Sequence, residues 1–142
     1  MTTIRQLSVF LENKSGRLQE VLDILGSENI NITALTIADT TEYGSLRLIV
    51  NDPENAYKQL KVRGFSVNLT EVLSLSVSHE VGSLSKILEK LSEKNLSIEY
   101  MYAFCLGNKA VIVLRTDDCA KAFEIVRQNS FTIINEEEIR KL

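Results

Sequence analysis

Residues 7–34 read LSVFLENKSGRLQEVLDILGSENINITA, and residues 73–100 read LSLSVSHEVGSLSKILEKLSEKNLSIEY. At this offset of 66, eight positions are identical: Leu7, Ser8, Gly16, Leu18, Leu22, Leu25, Asn29 and Ile32. Others exchange one aliphatic for another, as at Val9/Leu75 and Val21/Ile87. Further along, the register drifts by two near Tyr43-Gly44, where residues 46–50 match 110–114. It then recovers, placing Tyr57 on Phe123, Leu60 on Val126 and Phe65 on Phe131. Apolar matches arise easily by chance. Glycines, asparagines and a recovered register together do not. Self-similarity at a fixed period signals repeated structural units, here residues 1–69 and 70–142.

Each unit reads as strand, helix, strand, strand, helix, strand. Leu7, Val9 and Leu11 alternate with Ser8, Phe10 and Glu12, and Leu73, Leu75 and Val77 alternate with Ser74, Ser76 and Ser78. A period of two predicts strands with one buried face. The pattern then changes. Leu18, Val21, Leu22 and Leu25, like Leu84, Ile87, Leu88 and Leu91, fall at helical spacing, with Glu20, Asp23, Lys86 and Lys90 left for water. Extended runs follow at 30–40 with 44–50, and at 96–105 with 109–115. Their expected turns are Glu42-Tyr43-Gly44 and Leu106-Gly107-Asn108. Asp52-Pro53 has the form of an N-cap with proline at the first helical position, and Asp117 is read as the cap of the equivalent helix. Closing strands are expected at 66–69 and 132–134. The order β-α-β-β-α-β is the split βαβ arrangement of an α+β protein: an antiparallel sheet with helices on one face, in two tandem ferredoxin-like units. No linker separates them, since Val67-Asn68-Leu69 runs directly into Thr70-Glu71-Val72. Asn135-Glu136-Glu137-Glu138 predicts a short terminal helix.

Composition narrows the function. The chain has 142 residues, 44% hydrophobic and 25% charged, which excludes disordered and collagen-like classes and allows one full core or two small ones. Its formal charge of −3, without any Lys/Arg block, argues against nucleic acid or an anionic membrane. No apolar run approaches transmembrane length and the start does not read as a signal peptide, so a cytoplasmic protein is expected. Cys105 and Cys119 lack Cys-x-x-Cys spacing and are read as reduced, semi-buried thiols. The single histidine, His79, leaves one candidate general base. Neither a metal site nor a cofactor site is read from this sequence, and no catalytic residue is assigned.

Two elements could bind a small ligand. The first is Asn13-Lys14-Ser15-Gly16-Arg17-Leu18, where a strand gives way to a helix. The first helical turn offers unpaired N–H groups and partial positive charge, suited to a carboxylate. The plain structural reading is that Gly16 turns the chain and Ser15 caps the helix. The second is Asn31, which opens the next strand and offers both an acceptor and two donors. The helix carries the chain to the opposite end of the sheet, so Asn31 can meet such a loop in its own unit or in a neighbouring one.

This loop, with Asn-x-Asn-Ile at the start of the next strand and inside a duplicated split βαβ unit, resembles the ACT family of amino-acid-binding regulatory modules. The resemblance covers the whole chain as two tandem units. The spacing from Asn13-Lys14-Ser15-Gly16 to Asn31 is similar to that in the regulatory domain of phosphoglycerate dehydrogenase. It implies a small amino acid held at an interface between ACT units, and places the site on Asn13, Ser15, Gly16, Arg17, Leu18, Asn31 and Ile32. The second unit departs from that pattern. Its candidate residues are His79, Val81, Gly82, Ser83, Leu84 and Ser97, with His79 replacing Asn13, Glu80 replacing Lys14 and Ser97 replacing Asn31. Tyr100, Tyr102 and Phe104 stand where the first unit has Ala34, Thr36 and Ala38. The first loop is therefore expected to be the better site. Residues 30–40 are apolar on both faces, which predicts a covered edge and a homodimer. The expectation is a freestanding, non-enzymatic regulator that signals to a partner. The alternatives are a regulatory subunit of an amino-acid biosynthetic enzyme, similar to the acetolactate synthase small subunit, and a ferredoxin-like enzyme or metal carrier.

Overall fold

The computed structural model describes residues 2–39, 42–106 and 108–141. In chain order its elements are β1 (Ile4–Glu12), α1 (Arg17–Ser27), β2 (Ile32–Asp39), β3 (Tyr43–Val50), α2 (Pro53–Val62) and β4 (Ser66–Ser78). There follow α3 (Ser83–Glu93), β5 (Ile98–Leu106), β6 (Lys109–Thr116), α4 (Cys119–Gln128), β7 (Thr132–Ile133) and α5 (Glu136–Arg140). Contacts divide the chain into two compact units. One holds residues 5–71 with the chain from 137 on; the other holds residues 72–136 with the chain up to residue 4.

In the first unit the strands lie in the order β2-β3-β1-β4, and in the second β5-β6-β4-β7. Both are the ferredoxin-like order predicted from the repeat, and β1–β3, β2–β3, β4–β6, β4–β7 and β5–β6 all pair antiparallel. The missing linker has a physical form. Residues 66–78 form one continuous strand, so the last strand of one unit and the first of the next are a single strand, β4.

Directly paired residues share a face, which sets where each core lies. Leu7 opposes Leu48 and Val9 opposes Leu46, and these pack with Val21 and Leu25 of α1 and Ala56 and Leu60 of α2. In the second unit Leu73 opposes Leu114 and Leu75 opposes Ile112. They pack with Ile87 and Leu91 of α3 and with Ala122, Ile125 and Val126 of α4. Each fully buried leucine or isoleucine contributes roughly 1.5–3 kcal/mol of transfer free energy. The face turned away from the helices carries Phe10 and Tyr43 in the first unit, stacked at 4.9 Å, and half-buried Tyr102 and Phe104 opposite the buried Val113 and Val111 in the second. β2 is the terminal strand of its sheet, with Leu35 and Ile37 both 44% exposed.

The repeat persists in fine detail. Gly16 and Gly82 have φ of 89° and 87°, and Asn29 and Asn95 have φ of 57° and 59°. Both second strands carry an irregularity at the same place, between Ile32 and Ala34 and between Ile98 and Tyr100.

Four local expectations need correction, and a fifth is untested. Gly44 lies inside β3 opposite Leu11, and Tyr43 opens that strand opposite Glu12, so neither is a turn residue. Gly107 of the second turn lies outside the described residues. Asp118, not Asp117, caps α4, accepting a bond from Lys121 N–H at 3.0 Å, just as Asp52 accepts from Asn55 N–H at 3.2 Å. Asp117 instead accepts from Ser97 N–H at 3.1 Å, as Asn51 accepts from Asn31 N–H at 3.0 Å. Ser15 is not a cap: Gly16 holds the N-cap position of α1 and no side chain bonds the first turn. Cys105 is exposed, because it sits near the end of the terminal strand β5, whereas Cys119 is half-buried beside Thr116 C=O.

Candidate functional site

The two strand-to-helix loops are built alike. Asn13 N–H donates to Glu42 C=O at 2.8 Å and His79 N–H to Asn108 C=O at 3.1 Å. Lys14 N–H donates to Glu12 C=O and Glu80 N–H to Ser78 C=O, after which each chain turns through a glycine of positive φ into its helix. A Cβ at Gly16 or Gly82 would meet nothing within 4 Å, so the turn needs glycine for its backbone angle and not for space. Neither α1 nor α3 has a side-chain cap, while α2 and α4 are capped by aspartates. Residues 13–16 and 79–82 are all exposed. Exposed, uncapped helix starts attract anions through main-chain donors and the helix dipole.

Asn13, Ser15, Gly16, Arg17 and Leu18 lie together on the first loop. Asn31 and Ile32 do not join them. β2 runs eight residues from Ile32 to Asp39, about 26 Å at strand rise, and puts Asn31 at the far end of its unit. There its main chain pairs with Asn51 at 3.0 and 3.1 Å, leaving its exposed side chain without a partner among the described residues. Ser97 sits equivalently, bonded to Asp117. In the second loop His79, Ser83 and Leu84 come together, whereas Val81 is fully exposed.

Side chains make the two loops different. In the first, charges are satisfied internally. Lys14 pairs with Glu12 at 2.8 Å, and Arg17 pairs with Glu20 at 2.9 Å while its guanidinium lies 5.0 Å over the Phe65 ring. The hydrogen bond from Lys14, then its charge, hold the Glu12 carboxyl below its ordinary range, with a smaller contribution from the charge of Arg17. Phe65 is left only 8% exposed.

In the second loop Ser83 replaces Arg17, Lys86 replaces Glu20, Glu80 replaces Lys14 and Phe131 replaces Phe65. A hollow of about 250 Å³ opens there, walled by Ser78, Glu80, Ser83, Lys86, Ser130 and Phe131. Ser78 and Ser83 face each other at 3.1 Å. Glu80 and Lys86 have no ion-pair partner among the described residues. On the other side of the loop a second hollow of about 240 Å³ lies between His79, Leu84, Phe104 and Cys105, with His79 Nδ1 at 3.9 Å from Cys105 Sγ. The Lys86–Ser130–Phe131 wall escaped the motif search because it is assembled from the start of one helix and the end of another. The available signal was the Arg17-to-Ser83 exchange above a retained phenylalanine.

Among the described residues no three of His, Cys, Asp or Glu gather as a metal site, and no helix is long and apolar enough to cross a membrane. A family model described as an ACT domain pair matches residues 1–142. The crystal structure of protein BT0572 from Bacteroides thetaiotaomicron is 43% identical and matches with a TM-score of 0.94, over 99% of this chain and 98% of that one. The regulatory subunit of aspartate kinase from Thermus thermophilus, 12% identical, matches with a TM-score of 0.65 over 92% of this chain and 94% of that one. Its counterpart from Thermus flavus, 14% identical, matches at 0.61 over 90% and 92%. These two share the fold. No curated protein matches the sequence.

Proposed function

The chain belongs to the ACT domain pair family, and on that premise we propose that it is a non-enzymatic regulator that binds a small amino acid and signals to a protein partner. The observation that carries the reading is the pair of exposed helix starts left uncapped beside Gly16 and Gly82, when the other two long helices of the repeat are capped by aspartates. Such a turn suits the carboxylate of a zwitterion. The spacing of the first loop, similar to that of the phosphoglycerate dehydrogenase regulatory domain, supports Asn13, Ser15, Gly16, Arg17 and Leu18 as one half of an effector site. Asn31 and Ile32 would complete it from an ACT unit of a second copy, since within one unit they lie at the far end. The apolar terminal strand β2, with Leu35 and Ile37 exposed, supports a homodimer.

Signalling then follows from linkage. A ligand that bridges two copies favours the arrangement it contacts best, and shifts the partner's affinity by the same free energy. The test is a thermal-shift screen of the full chain against each of the twenty free amino acids. A ligand at about one hundred times its Kd adds about 2.7 kcal/mol, which raises Tm by several degrees in a chain of this size. Asn13→Ala and Asn31→Ala should each reduce that rise. Twenty unshifted traces would remove the reading.

A second reading is a regulatory subunit of an amino-acid biosynthetic enzyme. It is favoured by the fold shared with aspartate kinase regulatory subunits, along nearly their full length. Co-purification of a catalytic chain with the tagged protein separates this from an autonomous sensor.

A further inference from the structure

We propose that Cys105 and His79 form a reactive thiol–imidazole pair, and that this thiol is a modification site taking up the uncharged half of a small organic disulfide. The site lies across the second loop from the Ser83–Phe131 hollow and owes nothing to amino-acid binding. Cys105 stands near the end of β5, opposite Ala110 of β6, and is exposed. His79 follows β4 and is anchored by its own N–H, which donates to Asn108 C=O at 3.1 Å. From there its Nδ1 lies 3.9 Å from Cys105 Sγ, within reach of a thiol hydrogen bond. The chain has a single histidine, and the fold sets it against the more exposed of two cysteines. At the corresponding positions the first unit has Asn13 and Asp39. The pair therefore belongs to one copy of the repeat only.

A thiol becomes a strong nucleophile when a neighbouring base takes its proton. The exchange then balances without any further oxidant. The Cys105 proton passes to His79 Nδ1, and Sγ attacks one sulfur of the incoming disulfide. A new S–S bond forms as the old one breaks, and the departing thiolate takes the proton from His79. Cys105 is oxidised to a mixed disulfide while the reagent is reduced to one small thiol. The half that stays has a place to lie. A hollow of about 240 Å³ opens beside the thiol, and Val77, Leu84, Ala103, Phe104, Ala110 and Ile112 make its wall largely apolar. Glu80 is the carboxylate on that wall, and no lysine or arginine lines it among the described residues. An anionic group would give up water there beside another anion and gain no cation, so the hollow favours an uncharged one.

The reduced full chain is treated with 2-hydroxyethyl disulfide, and the adduct at each cysteine is followed by mass spectrometry. N-acetylcysteine at the same pH gives the rate of an unassisted thiol. Cys105 is expected to react roughly three- to tenfold faster than that reference at pH 7. His79→Gln keeps a polar side chain but cannot take the proton, and should return Cys105 to the reference rate. Half-buried Cys119, beside Thr116 C=O, reports the fold, and its slow rate should be equal in both chains. Glutathione disulfide supplies the anionic comparison. Relative to the reference thiol, Cys105 should prefer the uncharged reagent about fivefold. A Cys105 rate no faster than the reference overturns the inference, as does a rate unchanged by His79→Gln, or a preference for the anionic disulfide. Should the variant unfold, the unaltered chain still decides, through its rate and its choice of disulfide.

Discussion

Arg17 and Ser83 stand at the same place in two copies of one fold, behind glycines whose φ angles differ by only two degrees. One reaches over a phenylalanine and closes the surface; the other is too short to do so and leaves a hollow. Duplication thus conserved the main chain that presents the helix start, and the divergence lies in side chains that either cover the neighbouring phenylalanine or leave it uncovered. An ACT pair of this kind has two loops with the same backbone chemistry and different occupancy.

The largest effects should fall where the copies agree. Leu25→Ala and Leu91→Ala remove equivalent, fully buried side chains, and each should cost about 2–5 kcal/mol in chemical denaturation. A near-zero effect in one unit alone would mean that its core does not pack as described. Next come the turns. Gly16→Ala and Gly82→Ala force a Cβ into the left-handed region with no compensating contact, and each should cost about 1–2 kcal/mol. Unequal costs would show that the two glycines are not held alike. Asp52→Ala and Asp118→Ala should each lose about 1 kcal/mol through the missing cap, while Ser15→Ala and Asp117→Ala test the caps that the structure does not use. Ser15→Ala should be silent.

Smaller effects separate the copies. Arg17→Ser exchanges the first unit's cover for the second unit's residue, and should lose about 0.5–1 kcal/mol of cation–π and ion-pair interaction while exposing the Phe65 ring to solvent. The smallest is electrostatic. The Glu12 carboxyl is held below its ordinary range by Lys14, so the interaction is present above the unfolded-state pKa and is lost as pH falls through the lowered folded value. Lys14→Gln should raise the Glu12 midpoint in an NMR titration; an unchanged midpoint would mean the pair does not form in solution.

The architecture was legible because it is written twice. Alternation at 7–12 and 73–78 and helical spacing at 18–25 and 84–91 are local signals, and repetition removed their ambiguity. What was misread depended on a choice between adjacent residues or on contacts between distant ones. Asp117 and Asp118 are both capping residues by type; only the register of the repeat, which sets Asp118 on Asp52 and Asp117 on Asn51, tells the cap from the residue that ties down Ser97. Gly44 has the composition of a turn, yet the ladder with Leu11 takes it into β3. The loop motif was visible from Asn13 to Leu18. The hollow of the second unit was not, since it exists only where Ser83 fails to reach Phe131, and such a meeting is set by helix packing.

The reading of the first loop as half of an effector site is tested most directly by an NMR titration of the full chain with an amino acid that raises its Tm, following backbone amides in both units. The account predicts that the amides of Ser15, Gly16, Arg17 and Leu18 shift progressively to saturation and that Asn13→Ala abolishes those shifts. Saturation by the ligand with the 13–18 amides unmoved would contradict it.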